Sequence, residues 1–114
     1  MTKSIPLLLS CGKELLAVGA HDGMSARLGQ NAGFDLIWGS GFEIAATYGV
    51  PDANMLTMTE QLRQCTIINE AIDIPVIADC DNGYGNAINA AVTARKFESA
   101  GIAGICIEDN VFPK

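Results

Sequence analysis

Short apolar runs alternate along the chain with longer stretches in which apolar positions recur every three or four residues. The runs are Leu15–Ala20, Phe34–Trp38, Val76–Ala78 and Ala103–Ile107, the third led by Pro75, and they read as buried strands. The stretches between them read as amphipathic helices: Ser25–Ala32 stopped by Gly33, about Met58 to Ile72, and Asn86–Ala100 stopped by Gly101. In the second of these, Leu62, Cys65, Ile68 and Ile72 keep helical spacing, and Thr57 or Thr59 is the natural cap. Residues 4–14 are read as a further short helix before the first strand. Strand and helix in strict alternation predict parallel βαβ units.

The polar positions sharpen this reading. Strand after strand ends in polar or acidic residues: His21-Asp22, Ser40, Asp79 with Asp81, Glu108-Asp109. A barrel gathers those ends on one face around one centre, whereas a doubly wound sheet spreads them along an edge. The expected fold class is therefore α/β, the N-terminal half of a (β/α)8 TIM-type barrel with about four parallel strands. Residues 1–114 are expected to be the N-terminal part of a single truncated barrel domain of about 250 residues or more. One connection breaks the rhythm. Between Trp38 and Val76 the chain is longer than one helix and two short loops require, and the surplus is Phe42–Leu56. Asp52, in Gly49-Val-Pro-Asp-Ala-Asn54, is thereby either a site residue on a long connection or the turn residue after Pro51.

Asp79 and Asp81 stand one residue apart where a strand leaves the core, with Gly83 and Gly85 following. Two carboxylates so close repel unless a cation or proton lies between them, and nothing basic is near in sequence. A hard divalent cation, Mg²⁺ or Mn²⁺, suits such oxygen donors; a solvated turn capping the next helix is the alternative. Glu108 would converge on the same face. Ser40-Gly41-Phe42 offers backbone N–H groups to an anion. A metal beside such donors fits a 2-oxo acid, whose developing enolate both would stabilise. Lys114 could add positive charge, although a lysine at that position is ordinarily solvated. His21 is either an acid or base or, as is commoner for a lone histidine at a strand end, structural.

Composition narrows the partners. A formal charge of −6 argues against nucleic acid. No apolar run approaches the roughly 20 residues that span a bilayer, and residues 5–10 lack a signal-peptide cleavage pattern. Cys11, Cys65, Cys80 and Cys106 are widely spaced without a CxxC, which fits free buried thiols in a cytoplasmic protein.

Trp38-Gly-Ser-Gly-Phe42, Gly49–Asn54, Asp79-Cys-Asp-Asn-Gly-Tyr-Gly-Asn86 and Glu108–Lys114 together resemble the phosphoenolpyruvate mutase/isocitrate lyase superfamily. The likeness runs the length of the chain and is strongest to the branch acting on carbon–phosphorus bonds, the mutase and phosphonopyruvate hydrolase. The resemblance implies that Asp79 coordinates Mg²⁺ while Asp81 and Glu108 hold its waters. It implies that Ser40, Gly41 and Phe42 bind the carboxylate and oxo end of phosphonopyruvate, with Trp38 beneath. Asp52 would lie beside the transferring phosphoryl group, and Lys114 would be the first lysine of a mobile lid. It further implies dimers or tetramers. Three reactions are consistent with it: phosphoenolpyruvate–phosphonopyruvate interconversion, which is preferred, then hydrolysis to pyruvate and phosphate, then carbon–carbon cleavage of an isocitrate-like substrate. Lid residues beyond Lys114 separate them. An inactive half-barrel or binding module is the non-enzymatic alternative.

Overall fold

The computed structural model describes residues 3–114. Its elements run α1 (Ile5–Leu9), β1 (Ala17–Ala20), α2 (Gly23–Asn31), β2 (Leu36–Gly39), α3 (Gly41–Thr47), α4 (Met58–Ala71), β3 (Val76–Asp79), α5 (Ala87–Ser99) and β4 (Gly104–Cys106). The strands form one parallel sheet in the order β1-β2-β3-β4. Chain order and spatial order coincide, as in an arc of a (β/α)8 barrel; a doubly wound sheet would reverse direction at a switch point.

The helices start where local chemistry satisfies their free N–H groups. Asp22, Thr57 and Asn86 each accept from the third residue of α2, α4 and α5, and each of those residues bonds back to complete a capping box. Gly33 and Gly101, at φ +95° and +84°, let the chain turn out of α2 and α5 into the next strand.

Three expectations are corrected. The first helix does not extend over residues 4–14: it spans Ile5–Leu9, and Gly12 at φ +74° carries the chain away from it. The surplus connection after β2 is not all loop, because α3 occupies its first half with Ser40 as N-cap. The four cysteines are free, but only Cys65 and Cys80 are buried; Cys11 and Cys106 are exposed.

Ile37, Ile44, Cys65, Ile68, Val76, Ala78 and Phe97 fill the layer between sheet and helices. Gly29 of α2 is packed so closely that an added Cβ would lie 2.7 Å from Val18 and 2.8 Å from Ile37. Ile37 therefore points at the helices, and by strand alternation Trp38 points to the opposite face. On that face Gly19, Trp38, Ile77 and Gly104 share one layer. Ile5 and Ile77 lie over Gly104, so α1 covers this layer from the far side. Asp79, two residues beyond Ile77, opens the next layer toward the C-terminal ends of the strands.

Candidate metal centre and active site

Asp79 is the last residue of β3 and is 7% exposed. Two backbone donors fix its carboxylate: Gly41 N–H donates to Oδ2 at 3.0 Å and Asp81 N–H to Oδ1 at 3.1 Å. A Cβ on Gly41 would sit 2.7 Å from Oδ2, so the contact requires glycine. Gln61, on α4 and 2% exposed, donates from Nε2 to the Asp79 carbonyl at 2.9 Å. This anchors the end of β3 from the helix side.

The other two carboxylates arrive by continuation of the β3–β4 ladder. Cys80 N–H donates to the Cys106 carbonyl at 2.9 Å, and Glu108 N–H to the Asp81 carbonyl at 2.7 Å. Asp81 adopts φ +46°, a left-handed conformation that Asp tolerates better than most residues and that recurs at functional sites. Asp79, Asp81 and Glu108 each present one oxygen within 4.8 Å of the others. Burial is the main force on Asp79 and raises its pKa; the hydrogen bonds from Asp81 and Gly41 oppose it, and the Asp81 charge adds to the rise. A buried, crowded carboxylate of this kind gains by receiving a cation, and an all-oxygen donor set suits a hard one.

Lys114 is not solvated: its side chain is 12% exposed. Its Nζ lies 2.9 Å from Glu108 Oε1 and 3.1 Å from both Asp81 Oδ1 and Asp52 Oδ1. Burial works against the ammonium, yet the hydrogen bonds to Glu108, Asp81 and Asp52 prevail and its pKa is raised. The same contact lowers the Glu108 pKa. Asp52, on the connection between α3 and α4, thus joins the carboxylate group through Lys114 and shares a recess with Gly41, Gln61 and Asp81.

The Ser40–Phe42 turn is arranged differently from a simple N–H nest. Ser40 Oγ accepts from Glu43 N–H at 3.1 Å and caps α3, and Gly41 N–H is committed to Asp79. Among the described residues, Phe42 N–H is the first-turn donor of α3 left without a protein partner. The Phe42 ring is 64% exposed. Trp38, half-buried, occupies the layer just beneath Asp79 on the same face.

His21 Nδ1 lies 3.2 Å from Glu43 Oε1, and Gln64 Nε2 donates to the His21 carbonyl at 2.9 Å. This cluster sits at the end of β1. Burial pushes the Cys65 thiol up to about 12, with the Asp79 charge adding to the effect, which leaves it an inert core group. Gln61 and Asn54 escaped the sequence reading. Gln61 had a signal, since Gln61, Cys65, Ile68 and Ile72 follow one helical stripe and a polar residue on a core stripe must bond something.

The chain and its fold have known counterparts. Residues 7–113 match the family profile described as phosphoenolpyruvate phosphomutase. The crystal structure of a phosphoenolpyruvate phosphomutase from Streptomyces platensis subsp. rosaceus superposes with TM-score 0.94 at 48% identity, over 96% of this chain and 38% of that one. A phosphonopyruvate hydrolase solved in complex with oxalate and Mg²⁺ gives TM-score 0.94 at 45% identity, over 100% of this chain and 41% of that one. The 2,3-dimethylmalate lyase of Eubacterium barkeri is 46% identical over 94% of this chain and 37% of its own length. The chain spans about two fifths of the length of these relatives. Its parallel singly wound sheet, its strand-end carboxylates and the match over nearly all its residues place it in the phosphoenolpyruvate phosphomutase family.

Proposed function

We propose that this chain is the N-terminal part of a Mg²⁺-dependent barrel enzyme that interconverts phosphoenolpyruvate and phosphonopyruvate. The observation that carries the reading is the convergence of Asp79, Asp81 and Glu108, with Asp52 joined to them through Lys114. Asp79 would hold the cation directly, and Asp81 and Glu108 would hold its waters; Mn²⁺ has the same donor preferences. Bound there, the ion would supply Lewis-acid stabilisation to a 2-oxo acid substrate.

The chain's own groups complete the site. Phe42 N–H and the Ser40 hydroxyl hydrogen face the substrate carboxylate, Gly41 leaves room beside Asp79, and Trp38 floors the pocket. In the reaction the C–P bond breaks, its electron pair becomes the enolate of pyruvate, and the enolate oxygen then forms the O–P bond. Asp52 stands where the phosphoryl group passes, and Lys114 offsets the charge of Asp52, Asp81 and Glu108 as that group moves.

Buried free Cys65 and Cys80 suit a reducing, cytoplasmic setting. Exposed Val111 and Phe112, at 85% and 65%, suit a surface covered in a dimer or tetramer.

The deciding experiment gives the full-length protein Mg²⁺ and phosphonopyruvate and follows phosphorus NMR. Phosphoenolpyruvate is the expected product. Inorganic phosphate with pyruvate would make the protein a hydrolase. No change, with cleavage of 2,3-dimethylmalate or an isocitrate-type acid instead, would make it a lyase.

A further inference from the structure

Asn54 ties together three segments that each contribute a charged group to the site. Its Oδ1 accepts the backbone N–H of Lys114 at 2.7 Å, and its Nδ2 donates to Asn82 Oδ1 at 3.1 Å. Asn54 itself lies two residues after Asp52, Asn82 follows Asp81, and Lys114 ends the stretch that begins at Glu108. Asn82 Nδ2 is buried with no partner among the described residues, so its contact with Asn54 is what orients that side chain. Asn54 has φ +59°, a conformation that Asn, Asp and Gly hold with least strain. Backbone shape and side-chain bonding thus select the same residue.

We infer that Asn54 is a positioning residue: it latches the segment after β4 across the strand ends, so that the Lys114 ammonium reaches Asp52, Asp81 and Glu108 together. The Nζ contacts depend on where the Lys114 main chain lies, and that main chain is held at its amide by Asn54. The effect on turnover rests on the function proposed above; the effect on the latch does not.

The test uses the full-length protein carrying Asn54→Gly, which keeps the backbone conformation and deletes the side chain. Three readouts are taken. Amide exchange at Lys114 should accelerate at least roughly tenfold while β1–β4 stay protected. Mn²⁺ affinity, followed by electron paramagnetic resonance without substrate, should tighten about fourfold, because a positive charge has left Asp81 and Glu108. Turnover should fall by the same factor as in Lys114→Met, and the double variant should fall no further. A role in folding alone would leave Mn²⁺ affinity unchanged or weaker.

Asn54→Asp keeps the acceptor oxygen and should keep the Lys114 amide protected. If the glycine variant does not fold, this variant decides: rapid exchange at Lys114 overturns the proposal. Unchanged exchange and unchanged Mn²⁺ affinity in Asn54→Gly overturn it as well. Should the parent protein turn over none of the three substrate classes, the proposed function fails while the exchange and Mn²⁺ readouts still judge Asn54.

Discussion

Asp79 is pulled in two directions, and the balance has a pH signature. Desolvation raises its pKa above the ordinary 3.8 against the hydrogen bonds from Asp81 and Gly41. Between the unfolded and folded pKa values the native state binds more protons than the unfolded state, so this group's contribution to metal-free stability falls as pH rises. Glu108 acts the other way: its pKa is lowered by Lys114, and its contribution is lost as pH falls below the unfolded value of 4.5. A divalent cation relieves only the ionised Asp79. The gain in melting temperature from saturating Mg²⁺ is therefore larger at neutral pH than near the ordinary carboxylate pKa of about 4, measured by calorimetry; equal gains would contradict the raised pKa. The neighbouring contact gives a second prediction. Gly41→Ala drives a methyl group against Asp79 Oδ2 and Asp81 Oδ1. Mn²⁺ binding should weaken by about tenfold or more, equivalent to about 1.4 kcal/mol, with the far-ultraviolet dichroism unchanged. The Asp79–Asp81 pair was legible from spacing alone. Lys114 was not, because its partners Asp52 and Asp81 are brought to it by tertiary folding, and local sequence around Asp81 shows no base.

Among the elements, α4 does the most to hold the site from behind. Thr57 and Glu60 close its capping box, and Gln61, Cys65 and Ile68 turn to the core one turn after another. Gln61 satisfies the Asp79 carbonyl at the point where β3 leaves the sheet. Gln61→Leu preserves apolar packing but strands that buried acceptor, so it should cost about 1–3 kcal/mol in urea unfolding. A neutral effect would mean that another donor reaches Asp79. The same element was readable almost to the residue, Met58 to Ile72 against Met58–Ala71, because its periodicity and cap agree. By contrast α3 is short, opens within Gly39-Ser40-Gly41 and precedes Gly49 and Pro51, so turn residues at both ends mask it. Its signal was Ser40 followed three residues on by Glu43, an N-cap pattern already in use for the substrate turn. At the other end of the chain, the apolar content of residues 4–14 suggests a longer helix than Ile5–Leu9, and Gly12 at φ +74° marks where the chain has already turned away.

At the scale of the molecule, the alternation of apolar runs and amphipathic stretches carried the topology: four parallel strands in chain order. What alternation could not carry is how the sheet is closed. β1 and β4 each pair on one side only among the described residues. Apolar side chains remain exposed beside both, Leu16 at 64% before β1 and Ile107 at 42% after β4. The accessible surface is 6488 Å² for 12.0 kDa, against roughly 6,000 Å² for a folded monomer of that mass. Open parallel edges with apolar flanks recruit further strands. Residues 1–114 expressed alone should therefore associate as concentration rises and bind a hydrophobic dye, with light scattering and dye fluorescence as readouts. In the longer barrel protein proposed above, the same dye signal should be absent. A dilute, dye-free particle with the radius of gyration of 13.6 Å would show instead that the four-stranded unit is self-sufficient. The strand-end carboxylates would then need no second half to be held together, and Mn²⁺ titration of that particle would find their site already formed.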